Sequence, residues 1–208
     1  MSKKTEILNI ISSYQKSYNE ALNTIKTICS SSEYTEEGKE QKISETLNTL
    51  HSLCTACHDT VISLIDTATE NMKTEWRNKS TGRLNDTDYQ LGLSNTLKML
   101  EMNAIYSEDD IKNIVDTYKD DYNAMSAIRS LVNKNTNGFE NANIIALIPN
   151  DNREKNISLL NQLKSNVDKY ISSSAFPNSF GTETMTALGI EGMSAFVSER
   201  LSDDLQLT

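Results

Sequence analysis

The stretch ILNIISSYQKSYNEALNTIKTI, residues 7–28, carries its apolar side chains at alternating intervals of four and three residues. These positions are Ile7, Ile11, Tyr14, Tyr18, Ala21, Ile25 and Ile28. Such alternation places all of them on one side of an α-helix and is typical of a heptad contact seam. The stretch therefore predicts a long amphipathic helix that packs against another helix.

A second seam with the same spacing lies within residues 43–76. Its positions are Ile43, Leu47, Leu50, Cys54, Cys57, Val61, Leu64 and Ala68, with a less regular end at Met72 and Trp76. Serines at 30–32 separate the two seams, and Thr35 is a suitable N-cap for the second helix. The short polar link predicts a long antiparallel helical hairpin over residues 1–78.

The second predicted helix is longer than the first, so the end of its seam has no partner inside the hairpin. An apolar stripe needs to be covered because its exposure to water is unfavourable. We therefore expect protein contacts at Val61, Leu64, Ala68, Met72 and Trp76, made either by later helices or by another subunit.

Residues 84–172 predict a bundle of shorter helices, and the chain as a whole predicts an all-α fold. Helix starts are indicated at Asn85 or Asp86 and at Ser107, because these side chains accept hydrogen bonds from first-turn N–H groups. The segment IIALI, residues 144–148, suits either a buried strand or a helical turn. With seven glycines and two prolines, the chain lacks the turn residues that a sheet protein needs.

Residues 173–208 predict a linker followed by a C-terminal helix. Serines at 172–174 and Pro177 interrupt the preceding helix, and Met193, Phe196 and Val197 then recur near helical spacing. Three alternatives fit this pattern. The segment docks on a partner through these three residues, as in a regulatory adaptor, or it is a poorly ordered terminus, or it folds back onto the helices of its own chain.

The composition excludes several classes of function. A net charge of −9 opposes direct contact with nucleic-acid phosphates. No apolar run approaches the roughly 20 residues that span a bilayer, and the N-terminus has no secretion signal. Three cysteines, an odd number, suit reduced thiols. We therefore expect neither nucleic acid nor membrane as a partner, and a location in the cytoplasm.

The motif His51-x-x-Cys54-x-x-Cys57-His58 is the one cluster with metal-ligand chemistry. Its C-x-x-C-H part matches the attachment string of c-type haem, and two of its ligands from each of two chains could share a zinc ion. Cys54 and Cys57 also occupy consecutive seam positions, where a free cysteine behaves as a small buried apolar residue. We expect no metal or cofactor. The alternative is a helical metal- or haem-binding protein that uses these four residues.

Catalysis is not predicted at any residue. His51 and His58 are the only histidines, so a nucleophile–histidine pair would have to lie on one face of the second helix. Such a face offers neither a pocket nor oxyanion donors. We therefore expect a non-enzymatic protein.

Short motifs between residues 85 and 135 resemble those of a known group of proteins. They are DYQ (88–90), LKMLEM (97–102), DDI (109–111), KDD (119–121) and AIR (127–129). This region resembles small helical proteins encoded among the virion structural genes of tailed bacteriophages of Gram-positive hosts. The resemblance implies a structural or assembly role in the bacterial host cytoplasm or the virion. It also implies self-association or contact with other virion proteins, and no catalytic residues.

The C-terminus departs from the pattern of a typical phage scaffolding protein. Such a protein ends in a basic capsid-binding helix, whereas Glu199, Asp203 and Asp204 here outnumber Arg200. This departure counts against a strict assignment as a scaffolding protein.

Overall fold

The computed structural model describes residues 1–81, 83–105, 107–135, 145–177 and 183–207. Within these ranges the chain is helical, with no strand beyond an isolated bridge between Leu201 and Leu207, so the all-α prediction is confirmed. The helices are α1 (Lys3–Ser30), α2 (Glu36–Thr81), α3 (Thr87–Glu101), α4 (Glu108–Tyr118), α5 (Tyr122–Asn135), α6 (Arg153–Tyr170) and α7 (Glu183–Arg200), with a 3₁₀ turn at Ser173–Ala175.

Polar side chains begin the helices at the positions that the sequence indicates. The Thr35 hydroxyl accepts a hydrogen bond from the Gly38 N–H at 3.2 Å, and Asp86 and Ser107 make the equivalent bonds at α3 and α4. Each such bond satisfies an N–H group that has no partner within its own helix. These starts are local events, and they were correctly predicted.

The chain divides into two compact units, and the first comprises residues 1–69 and 153–208. α1 and α2 lie side by side in opposite directions, since Ile28 shares a cleft with Lys42 while Ser17 shares one with Leu53. The Lys4 ammonium group donates to the Ser198 carbonyl oxygen at 2.7 Å, so the start of α1 meets the end of α7.

α6 completes this first unit by running antiparallel to α2. His58 meets Asp168 at 2.9 Å, and Asp66, two turns further along α2, meets Lys164 at 2.7 Å, earlier in α6. α1, the first part of α2, α6 and α7 therefore alternate in direction. Their fully buried side chains form the core: Ile7, Ile11, Tyr14 and Tyr18 from α1, Val61 and Ile65 from α2, Leu160, Leu163 and Val167 from α6, and Ile190, Met193 and Val197 from α7.

The seam of α2 shifts by one residue within this core. Ile65 is fully buried whereas Leu64, the predicted position, is half-buried. A straight helix has 3.6 residues per turn and drifts away from a strict seven-residue repeat. The buried positions therefore run from Val61 through Ile65 and Ala68 to Met72, and the prediction for Leu64 is corrected accordingly.

The second unit comprises residues 70–152. Its buried core contains Leu100, Ile111, Tyr118, Ala124, Met125, Ile128, Val132 and Ile148. The Tyr89 and Tyr118 rings meet edge to face, with centroids 5.5 Å apart. Residues 145–146 are helical, and the Ile148 N–H donates to the Ile145 carbonyl at 3.2 Å, so the described part of 144–148 forms a helical turn; Ile144 lies outside the described residues.

This division differs from the predicted one at both boundaries. Residues 153–172 were predicted to belong with the bundle of 84–172, but α6 packs in the first unit; residues 70–78 of the predicted hairpin fall in the second. The difference arises because the apolar stripe of α6 is buried with helices that are distant in sequence. Changes in composition along the chain indicate where a linker lies, but they do not indicate that a later helix packs against an earlier part of the chain.

The C-terminal helix folds back onto its own chain. The Tyr18 hydroxyl donates to the Ala175 carbonyl at 3.1 Å, and the Asn156 side-chain oxygen accepts from the Leu207 N–H at 2.6 Å. Of the alternatives for 173–208, the structure therefore has the segment folded back onto its own chain.

The predicted protein-contact residues are mostly covered within the chain. Val61, Ala68, Met72, Met193 and Val197 are buried, and Leu64, Trp76 and Phe196 are half-buried. Of the two alternatives for the end of the α2 seam, coverage within the chain therefore accounts for the buried positions.

Candidate protein-binding surfaces

The four residues of the His–Cys motif do not converge. Cys54 and Cys57 are buried in the core, whereas His51 is exposed, and its ring edge meets Phe176 with centroids 6.0 Å apart. Among the described residues no group of three or more His, Cys, Asp and Glu side chains is placed to hold a metal ion. Within one chain, the four side chains therefore do not meet at a common point.

His58 joins two helices instead. Its Nδ1 lies 3.0 Å from an oxygen of Asp59, and its Nε2 lies 2.9 Å from an oxygen of Asp168 on α6. The hydrogen bond to Asp59 and the contact with Asp168 raise the pKa of His58, and partial burial opposes them. The imidazole therefore links α2 to α6, and the link is strongest when the ring is protonated.

The buried thiols of Cys54 and Cys57 are in an environment that makes them unreactive. Burial raises the pKa of Cys54, and burial and the neighbouring Cys54 raise the pKa of Cys57, so both remain protonated near neutral pH. The Tyr14 hydroxyl is buried beside Cys54 and makes no hydrogen bond of ordinary geometry within the described residues. Since the thiolate is the nucleophile, this environment does not support catalysis by these cysteines.

A groove separates α1 from α2 near the loop that joins them. It consists of two clefts of about 550 and 520 Å³, which share Thr24 and Thr46 in their walls and so adjoin. The cleft nearer the core is lined by Ala21, Leu50 and Leu53 together with polar residues, and the outer one reaches Ile28 and Tyr34. Sequence reasoning did not predict this opening, because heptad spacing indicates contact and not the distance between the helices.

The second candidate surface lies on α3. Four large apolar side chains in and beside this helix are exposed: Leu84 (62 %), Leu91 (60 %), Met99 (45 %) and Met102 (62 %). At 100° per residue, Leu91, Met99 and Met102 fall within an arc of about 80°. We call these four residues the α3 stripe.

The α3 stripe was also missed by sequence reasoning, although a signal for it exists. Leu93, Leu97 and Leu100 form the inward pattern of α3 and pack against the core of the second unit. Leu91, Met99 and Met102 are the apolar residues left over after that pattern is assigned. Leftover apolar positions on a helix that already has a buried face indicate a second contact surface.

Comparison of the chain with protein families, with curated proteins and with solved structures finds no match. None of the helices, searched over the described residues, combines the length and the apolar character needed to cross a membrane. The functional interpretation therefore depends on the surfaces themselves.

Proposed function

We propose that this chain is a non-enzymatic structural or assembly protein that self-associates through the α3 stripe. The observation that supports the proposal is the exposure of Leu91, Met99 and Met102 along one arc of α3, with exposed Leu84 just before the helix. Singly exposed apolar residues are normal on protein surfaces, whereas several that share one arc of a helix suit a contact site.

The composition of the α3 stripe suits contact with another helix. Its two methionines have flexible thioether side chains that adapt to irregular apolar surfaces. Exposed Lys98 and Glu101 lie along one edge of the stripe, and exposed Asn95 lies within it, between Leu91 and Met99. Protein–protein interfaces commonly combine apolar and polar side chains.

The biological setting that we propose is a tailed bacteriophage. The motifs that resemble virion structural proteins fall at residues 88–129, in the unit that carries the α3 stripe. We accordingly propose the cytoplasm of the bacterial host, or the virion, as the location, and further copies of the chain or other virion proteins as partners. Genomic neighbourhood tests this part, since it requires the gene to lie beside capsid, portal or tail genes.

Self-association is tested by light scattering of the purified full chain over a range of concentrations. The variant Leu91→Glu/Met102→Glu places two charges in the stripe, and the control Ser94→Glu/Asn113→Glu adds the same charge at exposed positions outside it. We expect oligomers for the wild type and the control, and monomers for the stripe variant. A wild-type protein that is monomeric at every concentration would contradict the proposal.

A further inference from the structure

We infer that the groove between α1 and α2 binds a basic amphipathic helix of a partner protein. The inference deepens the proposed function and rests on it, because it assigns a second contact surface to a protein that works through contacts. It concerns the first unit, whereas the α3 stripe belongs to the second. The two surfaces can therefore be tested separately.

The groove walls are chemically more apolar than their composition suggests. Thr24 and Thr27 on α1 donate their hydroxyl hydrogens to the carbonyls of Glu20 and Asn23, at 2.8 and 2.9 Å. On the opposite wall, Thr46 and Thr49 of α2 do the same to carbonyls four residues earlier, at 2.9 and 3.1 Å. These hydroxyl donors are already used, so an apolar occupant leaves none of them unsatisfied.

The groove is long enough for several turns of helix. From Ser17 to Ile28, the α1 residues that line it cover about 16 Å at 1.5 Å per residue. That length corresponds to three turns, which present apolar side chains at positions i, i+3, i+4 and i+7 to a groove. The two adjoining clefts have volumes of about 550 and 520 Å³, and both volumes fall in the size range of ligand-binding pockets.

The charge at the groove identifies the kind of helix. Glu20, Glu33 and Glu45 line it, against a single lysine, Lys42. The Lys42 ammonium group lies over the Tyr34 ring, 5.1 Å from its centroid, at the outer end. A basic helix would gain from this acidic lining, whereas a second copy of this chain, with its net charge of −9, would meet like charge.

The test uses a designed peptide as the probe. One peptide carries leucine at i, i+3, i+4 and i+7 with lysine elsewhere over about four turns, and its counterpart carries glutamate in place of lysine. Binding to the full chain is measured by fluorescence anisotropy. We expect the lysine peptide to bind at least about tenfold more tightly than the glutamate peptide, and to bind more weakly as salt rises from about 0.05 to about 0.5 M.

A blocking variant separates groove binding from non-specific attraction to an acidic protein. Thr24→Trp fills the groove at a residue shared by both clefts. Thr60→Trp is the matched control, because Thr60 is also exposed and its hydroxyl also donates to a carbonyl four residues earlier, at 2.7 Å. We expect about tenfold weaker peptide binding for Thr24→Trp and wild-type binding for Thr60→Trp.

A second pair of variants tests the charge. Glu45→Lys reverses a charge in the groove, and Glu40→Lys reverses one at an exposed position that does not line it. We expect weaker binding only for Glu45→Lys. Equal binding to Thr24→Trp and Thr60→Trp, or equal binding of both peptides, would overturn the inference.

Failure of this inference is distinguishable from failure of the proposed function. The α3 variant Leu91→Glu/Met102→Glu is expected to bind the lysine peptide normally while losing self-association. Thr24→Trp is expected to self-associate normally while losing peptide binding. A change in oligomeric mass for Thr24→Trp, but not for Thr60→Trp, would show instead that a second copy occupies the groove and would overturn the assignment to a basic partner.

Discussion

Nε2 of His58 lies 2.9 Å from the carboxylate oxygen of Asp168, and this contact links residues 110 positions apart in the chain. With Asp59 at 3.0 Å from Nδ1, both ring nitrogens have a carboxylate partner. An imidazole with a carboxylate hydrogen-bonded at each ring nitrogen is favoured in its protonated, charged form. We therefore expect the link between α2 and α6 to be stronger when His58 is protonated.

The first prediction concerns this pH dependence. Because the pKa of His58 is raised in the folded chain, its stabilisation is complete below the ordinary histidine value and is lost as pH rises through the folded value. The stability advantage of the wild type over His58→Gln should be larger at about pH 5.5 than at about pH 8, by less than about 1 kcal/mol since both carboxylates are largely exposed. Urea unfolding at the two pH values measures it. His51→Gln, whose ring meets Phe176 and not a carboxylate, is the control.

The second prediction concerns a close contact between α6 and α7. A Cβ atom added at Gly189 would lie 2.3 to 2.6 Å from Tyr170 ring atoms, whereas one at Gly192 would meet nothing within 4 Å. Gly189→Ala should therefore cost about 1–3 kcal/mol through overpacking. Gly192→Ala should stabilise by up to about 1 kcal/mol, because alanine is the better helix former. Thermal unfolding of both variants measures the difference, and equal stability would contradict the packing described.

The third prediction concerns the cap of α5. Asp121 is buried, and one of its oxygens accepts from the N–H groups of Asn123 and Ala124 at 3.0 Å each. Its other oxygen accepts from the Tyr89 hydroxyl at 3.0 Å. Burial and this bond raise the pKa of Tyr89 to about 12, so the phenol stays a donor at neutral pH. Asp121→Ala should destabilise the second unit by about 2–3 kcal/mol.

Hydrogen exchange of the α5 amides measures the loss of the cap, and the adjacent exposed Asp120 supplies the control. Asp120→Ala should change stability by less than about 0.5 kcal/mol. If the two alanine variants behaved alike, the three hydrogen bonds to Asp121 would not be what holds this helix start.

The fourth prediction concerns thiol reactivity. Cys29 is exposed, whereas Cys54 and Cys57 are buried with raised pKa values. A thiol reagent should therefore label one cysteine rapidly in the folded chain and all three in denaturant. In Cys29→Ser the rapid reaction should disappear. Rapid labelling that persists in this variant would mean that the core around Tyr14 is open to solvent.

The helices themselves were predictable because their causes are local. Heptad spacing along residues 7–28 and capping by Thr35, Asp86 and Ser107 act within one or two turns of chain. The burial of Cys54 and Cys57 followed from the same spacing, and the structure places both in the core. The spacing of residue types along the chain was therefore sufficient to predict these helices and the burial of these two cysteines.

The sequence by itself thus determined the all-α class, the helix starts and the apolar faces. Tertiary structure alone decided that α6 and α7 return to the first unit, that Ile65 and not Leu64 is fully buried, and that α1 and α2 leave a groove. The physical reason is that spacing specifies which face of a helix avoids water, whereas its partner and their separation depend on contacts between distant segments.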